Sequence, residues 1–207
     1  MAGLKGYDAR ILAADGTPVT FTNEAFTDTG DHLTYEITST TKRYWDDATS
    51  VVVERDDGGG YDPVVSTEYT IEHVGGRIVF LAAQNPAHTI RVDGAYLPTS
   101  TVAGGTEWTA DVEMGTADDS EFGDEWEQPV AMMGKAAGTL KLKWADQAWF
   151  DRLDAASKIV LVLKASNTSS SRTETFALIT KDSIAQTLSD LIREEVSWVG
   201  KGRPYTR

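Results

Sequence analysis

The sequence predicts a mainly β protein, an antiparallel sandwich or barrel with one flanking α-helix. Three observations lead there. Short runs rich in β-branched and aromatic residues recur along the 207 residues. Gly-containing turn signals separate them, and a single stretch carries apolar residues at helical spacing. The spacing of the short strands suits a sandwich or barrel.

Taken in order, Asp15-Gly16 separates Ala9–Ala13 from Pro18–Phe21 and predicts a hairpin, because Gly accepts the positive φ of a tight turn. Val51–Arg55 reads as a strand ended by the exposed turn Asp56–Gly60. Gly75-Gly76 divides Tyr69–Val74 from Arg77–Phe80, a second hairpin. Ile90–Val92 leads through Asp93-Gly94 to Ala95–Pro98. Further on, Leu140, Leu142 and Trp144 share one face, opposite Lys141 and Lys143. Ile159–Leu163 is apolar on both faces, as a central, doubly covered strand should be. Between them Asp146–Ala156 predicts the helix: Asp146 is the N-cap candidate, and Trp149, Phe150, Leu153 and Ala156 form its apolar stripe. Phe176 and Leu178 mark another strand. Ile184–Val199 suits helix at its start and strand near Val196 and Trp198, and strand is favoured there.

With 41% hydrophobic residues, a chain this long buries a sizeable core without staples. It has no cysteine, which removes disulfides, thiolate metal sites and a thiol nucleophile together. The net charge of −13 argues against a protein that grips phosphate backbones by neutralising them. Met1–Gly6 has no apolar core, so no signal peptide is expected, and no apolar run is long enough to span a bilayer. A soluble protein made in a cytoplasm is the expectation.

The acid is concentrated. Nine carboxylates and no Lys or Arg lie between Thr101 and Glu127. Trp108, Ala110, Val112 and Met114 alternate with Thr109, Asp111 and Glu113, the period-two pattern of a strand with one buried face. Such a strand shows water a row of unpaired carboxylates, either a solubilising face or one that repels an anion. The stretch Gly115–Gly138 that follows has the length of a functional loop.

No catalytic constellation emerges. His32, His73 and His88 are isolated, and His73 alternates with Tyr69 and Ile71 as an ordinary strand residue. The Gly-rich pieces lack the phosphate-loop pattern, and there is no GxSxG elbow. Asp118–Gly123 brushes against a calcium loop, yet Phe122 replaces a ligand and Pro129 stands where the closing Glu belongs. Asp111 and Glu113, about 6.7 Å apart by strand rise, have a separation permissive for glycoside hydrolysis, with nothing to desolvate either. No cofactor and no metal are expected.

Several ordered segments carry a resemblance. Thr17–Ala25, then Tyr35–Thr38, Lys42–Asp46 and Val51–Val53, then Tyr69–Ile71 with Gly76–Phe80, and Val92–Ser100 stand in sequence. Trp108–Val112, Phe122–Asp124, Gly138–Leu140 and Trp149–Leu153 follow. In this order the chain resembles the major tail tube proteins of long-tailed bacteriophages with non-contractile tails. The resemblance implies a single sandwich subunit over 1–207, subdivided at most into 1–97 and a tube-core half 98–200, with a basic tail at 201–207. It implies no enzymatic activity and self-assembly into stacked sixfold rings, in a virion tail built in the host cytoplasm. The implied partners are the tape-measure protein, the tail-tip or baseplate proteins and the tail terminator. DNA passes without tight binding, and no membrane is entered.

For site residues, Thr109, Asp111 and Glu113 are candidates to line the channel, which is then expected to be a negatively lined conduit for the genome with no phosphate-neutralising contacts. By position, the loop at Asp118, Asp119, Glu121, Phe122, Asp124 and Glu125 corresponds to the family's ring-stacking loop. The basic residues Lys201, Arg203 and Arg207 are candidate contacts for it. A head-tail joining or baseplate protein on a similar sandwich is the alternative. A carbohydrate-binding or adhesin module built on the six Trp comes third, although core packing explains Trp108, Trp144 and Trp149 better.

Overall fold

The computed structural model describes residues 10–14, 16–102, 104–118, 129–143, 147–156, 158–164, 172–185 and 192–206. The chain is mainly β with antiparallel sheets and one α-helix among these residues, as expected. It divides into two compact units: a discontinuous one of Met1–Leu12 with Thr101–Arg207, and an inserted one, Ala13–Ser100. The chain passes between them in β1 (Arg10–Ala14) and returns in β9 (Thr99–Thr101).

The inserted unit holds β2 (Val19–Asp28), β3 (Thr34–Ile37), β4 (Val52–Asp56), β5 (Tyr61–Pro63), β6 (Tyr69–Glu72), β7 (Arg77–Phe80) and β8 (Thr89–Tyr96). They form one sheet in the order β5-β4-β8-β2-β3-β7-β6. The β6–β7 hairpin is as expected, and Gly75 and Gly76 turn it at φ of 111° and 62°. A side chain at Gly76 would also meet Ile37 at 2.8 Å, so the position demands Gly twice over. Val52–Asp56 ends at the expected Gly turn. The core gathers Phe21, Tyr35, Ile37, Trp45, Val53, Ile78, Phe80 and Val92. Asp93-Gly94 is no break: β8 runs straight through, and Gly94 leaves room for the Phe21 ring.

The predicted hairpin at Asp15-Gly16 does not form. β2 pairs with β3 and β8, whereas β1 lies between β13 and β9 in the other sheet. The local turn signal loses to pairing with partners distant in sequence.

One turn of the inserted unit makes a pH-dependent contribution. Asp31 accepts hydrogen bonds from the backbone N–H of Thr34 at 2.7 Å and of Leu33 at 3.0 Å. These backbone donors, Thr34 first, hold its carboxyl down at about 2, below the ordinary 3.8. A depressed carboxylate stabilises the fold above its unfolded value, and that contribution disappears as pH falls through the folded one. Asp31→Asn should therefore flatten the loss of thermal midpoint between about pH 3.8 and 2, as read by circular dichroism.

The discontinuous unit is built on the second sheet, ordered β10-β12-β15-β14-β13-β1-β9, with β11 paired to β12 and β16 to β14. Its strands are β10 (Gly105–Trp108), β11 (Asp111–Asp118), β12 (Pro129–Lys143), β13 (Lys158–Lys164), β14 (Arg172–Ala185), β15 (Arg193–Gly200) and β16 (Tyr205–Thr206). Ile159 to Leu163 of β13 are all fully buried, the doubly covered strand that was expected. Leu140 and Leu142 share their buried face with Val196 and Trp198 across the β12–β15 ladder. Burying each such side chain contributes about 1.5–3 kcal/mol.

The helix is shorter than predicted. α1 spans Ala148–Asp154 and packs on β14, with Gln147 at the N-cap position making no side-chain cap; Asp146 lies outside the described residues. Trp149 is buried but Phe150 is 54% exposed, so the expected stripe is narrower than four residues. The ambiguous segment resolves as the end of β14 and the strand β15, with 186–191 outside the described residues.

Candidate self-association surface

β12 is the spine of the site. On one side it pairs with β15 along residues 137–143. Its other side is shared: β10 pairs with residues 140–142 and β11 with residues 129–137. β10 and β11 are therefore one strand interrupted at Thr109-Ala110. At the interruption the Thr109 backbone bulges over Gly138. Thr109 N–H donates to the Thr139 carbonyl at 2.9 Å, and the Thr139 N–H donates to Thr109 Oγ1 at 3.0 Å. A β-carbon at Gly138 would collide with the Thr109 carbonyl and stand 2.8 Å from Trp198 Cζ2.

The alternation read from Trp108 to Met114 keeps its parity across this interruption. Trp108 and Val112 pair with Leu140 and Ala136, whose side chains are buried, and Glu113 pairs with Lys135. Coverage is another matter. Val112 and Met114 are 64% and 65% exposed, so the face expected to be buried is open to water. Beyond β12, β11 has no further strand partner among the described residues and presents an edge eight residues long. A long edge strand with exposed apolar side chains is a template for another chain.

The opposite face corrects the acidic row. Glu113 meets Lys135 at 3.0 Å, and Glu107 meets Lys141 at 3.0 Å. Lys143 of β12, Arg193 and Glu195 of β15 and Lys181 of β14 stand on the same face by register. Thr109, Asp111 and Glu113 thus belong to a surface of four carboxylates and five cations, not to a line of unpaired acids. Cross-strand pairing of opposite charges steadies such a sheet modestly, by about 0.2–1 kcal/mol per pair. An open depression of about 340 Å³ lies beside Asp111, Glu113 and Lys135, and one of about 780 Å³ beside Lys141, Lys143, Lys181 and Arg193. Neither Asp111 nor Glu113 sits in an apolar pocket; both are exposed.

The segment read as a loop from Gly115 to Gly138 is largely strand. β11 reaches Asp118 and β12 starts at Pro129. Asp119, Glu121, Phe122, Asp124 and Glu125 lie outside the described residues, as does the calcium-like run beyond Asp118. Lys201 and Arg203 are exposed, but the tail is anchored at both ends. Lys201 N–H donates to the Phe176 carbonyl at 2.7 Å, and β16 pairs with Thr173 and Glu174 of β14. Arg203 stands 6.0 Å over the Tyr205 ring, and Arg207 lies outside the described residues.

Trp45, Trp149 and Trp198 are buried, which removes them from any sugar platform. Among the described residues no cluster of His, Asp and Glu could hold a metal, and no helix is long and apolar enough to cross a membrane.

No family model matches the sequence, and no curated protein matches it. Among solved structures the chain is similar to one from the tail of an empty gene transfer agent particle refined with C6 symmetry. The identity is 11% and the TM-score 0.45, over 53% of this chain and 87% of that one. It is likewise similar to a chain from the virion of a native gene transfer agent particle, at 11% identity and TM-score 0.45, over 53% of this chain and 88% of that one. An overlap of this extent leaves the role of the chain to its own surfaces.

Proposed function

We propose that this chain is a structural, non-enzymatic subunit that joins copies of itself through β11 into stacked sixfold rings, forming the tail tube of a phage-like particle. The supporting observation is the eight-residue open edge of β11 beside the exposed Val112 and Met114. Left alone in water, that edge and face are an aggregation hazard; closing a ring satisfies the backbone groups and covers the side chains. The ordered motifs that resemble tail tube proteins supply the sixfold, stacked form of the assembly. They also supply the tape-measure, tail-tip and terminator partners and the virion location.

Within this reading, Thr109, Asp111 and Glu113 line the channel together with Lys135 and Lys141. Ion pairing across the strands occupies those two lysines, so a passing phosphate backbone would displace Glu113 and Glu107 to reach them. Weak, transient contact with DNA follows from paired charges rather than from a negative wall. The segment between β11 and β12, from Asp118 through Asp119, Glu121, Phe122, Asp124 and Glu125, makes the ring-to-ring contact. Lys201, Arg203 and Arg207 are its proposed counterpart.

Sedimentation and negative-stain microscopy test both contacts. Met114→Asp places a charge in the covered face and should leave a folded subunit that forms neither rings nor tubes. Deletion of residues 119–128 should leave rings that do not stack. Long tubes from either variant would refute the corresponding contact.

A further inference from the structure

We infer that self-association resides wholly in the discontinuous unit, and that residues 13–100 are a self-contained module inserted into it and replaceable without loss of assembly. The inference rests on the self-association proposed above. Four observations carry it.

The ends of the module meet: Ser100 Oγ donates to the Ala13 carbonyl at 3.5 Å. One step outward, Val102 N–H donates to the Ile11 carbonyl at 2.9 Å. Where two passing strands are already neighbours, a domain can be added or removed between them without parting the host. The module also has its own core, around Phe21, Trp45, Ile78 and Val92.

The edges differ in kind. The module's sheet ends on β5, three residues long and closing with Pro63, and on β6, four residues long and closing with Glu72. Short edges with proline and charge are poor templates. β11, with eight residues, exposed Val112 and Met114 and no proline, is the opposite.

Charge separates the units as well. The module has fourteen Asp and Glu against five Lys and Arg, a net of −9, whereas the discontinuous unit has eighteen against fourteen, a net of −4. All five cations of the module are already in ion pairs: Lys42 with Glu24, Arg43 and Arg77 with Glu36, Arg55 with Glu68, and Arg91 with Glu54. Two copies of the module pressed together would set like charges against each other with no uncommitted Lys or Arg to meet them.

Amide hydrogen exchange on the full chain, assembled against the unassembled Met114→Asp variant, tests this. Exchange across residues 111–118 should slow by about tenfold or more on assembly, with residues 61–63 and 69–72 unchanged. Comparable slowing in the module's edges would overturn the inference while leaving self-association intact. Failure of the unaltered chain to assemble at all would overturn both. As a second arm, residues 13–100 are replaced by an Asn-Gly turn joining Leu12 to Thr101. Rings from that variant support the inference; a folded monomer, or an unfolded chain, overturns it.

Discussion

Gly138→Ala is expected to destabilise the discontinuous unit by about 3 kcal/mol, the upper end of what overpacking costs. The added carbon has nowhere to go. On one side it meets the carbonyl carbon of Thr109 at 2.8 Å, and on the other the ring of Trp198 at 2.8 Å. Neither is a flexible tip. Thr109 is tied to Thr139 through backbone and hydroxyl hydrogen bonds, and Trp198 is fully buried. Relief requires lifting the Thr109-Ala110 link off β12, and β11 leaves with it. Denaturant titration followed by tryptophan fluorescence should show the lowered midpoint, and assembly should weaken in parallel. An unchanged midpoint would mean that the link adjusts without cost.

Arg172→Met should be at least as damaging, by about 3–5 kcal/mol, because it takes the Arg172 cation away from a buried carboxylate. Glu174 is fully buried in β14, between Val162 of β13 and Tyr205 of β16, and the Arg172 guanidinium pairs with its carboxylate. A buried carboxylate deprived of a cation keeps its desolvation penalty and loses the compensating attraction. The double variant Arg172→Met with Glu174→Leu removes both charges and should recover most of the loss. If the double variant is no better than the single one, the ion pair is not the origin of the effect.

Much of this fold was legible in the sequence where local signals and tertiary pairing agree. Gly75-Gly76 announced the β6–β7 turn because both residues need positive φ. Ile159–Leu163 announced a central strand because no face of it is polar. Alternation from Trp108 onward gave the correct parity for Val112, Asp111 and Glu113. It could not give coverage, since the same pattern serves a strand buried by its own chain and one awaiting a second chain. Nor could it reveal Lys135 and Lys141 beside the acids, because those contacts depend on the register of β12, with Lys141 34 residues downstream of Glu107. Asp15-Gly16 misled for the converse reason: a good local turn was overruled by non-local pairing of β1 and β2 in separate sheets. The length of Gly115–Gly138 suggested a loop, yet Gly115–Ala117 extend β11, paired to β12.

Among the described residues the outer edge of β11 has no strand partner, and self-association through that edge is the central claim. Electron microscopy of the purified full-length chain at high concentration measures its consequence directly. Rings of six copies, stacking into hollow tubes, are the expected image. A monodisperse single copy at every concentration, with the amides of residues 111–118 already protected from exchange, would contradict it.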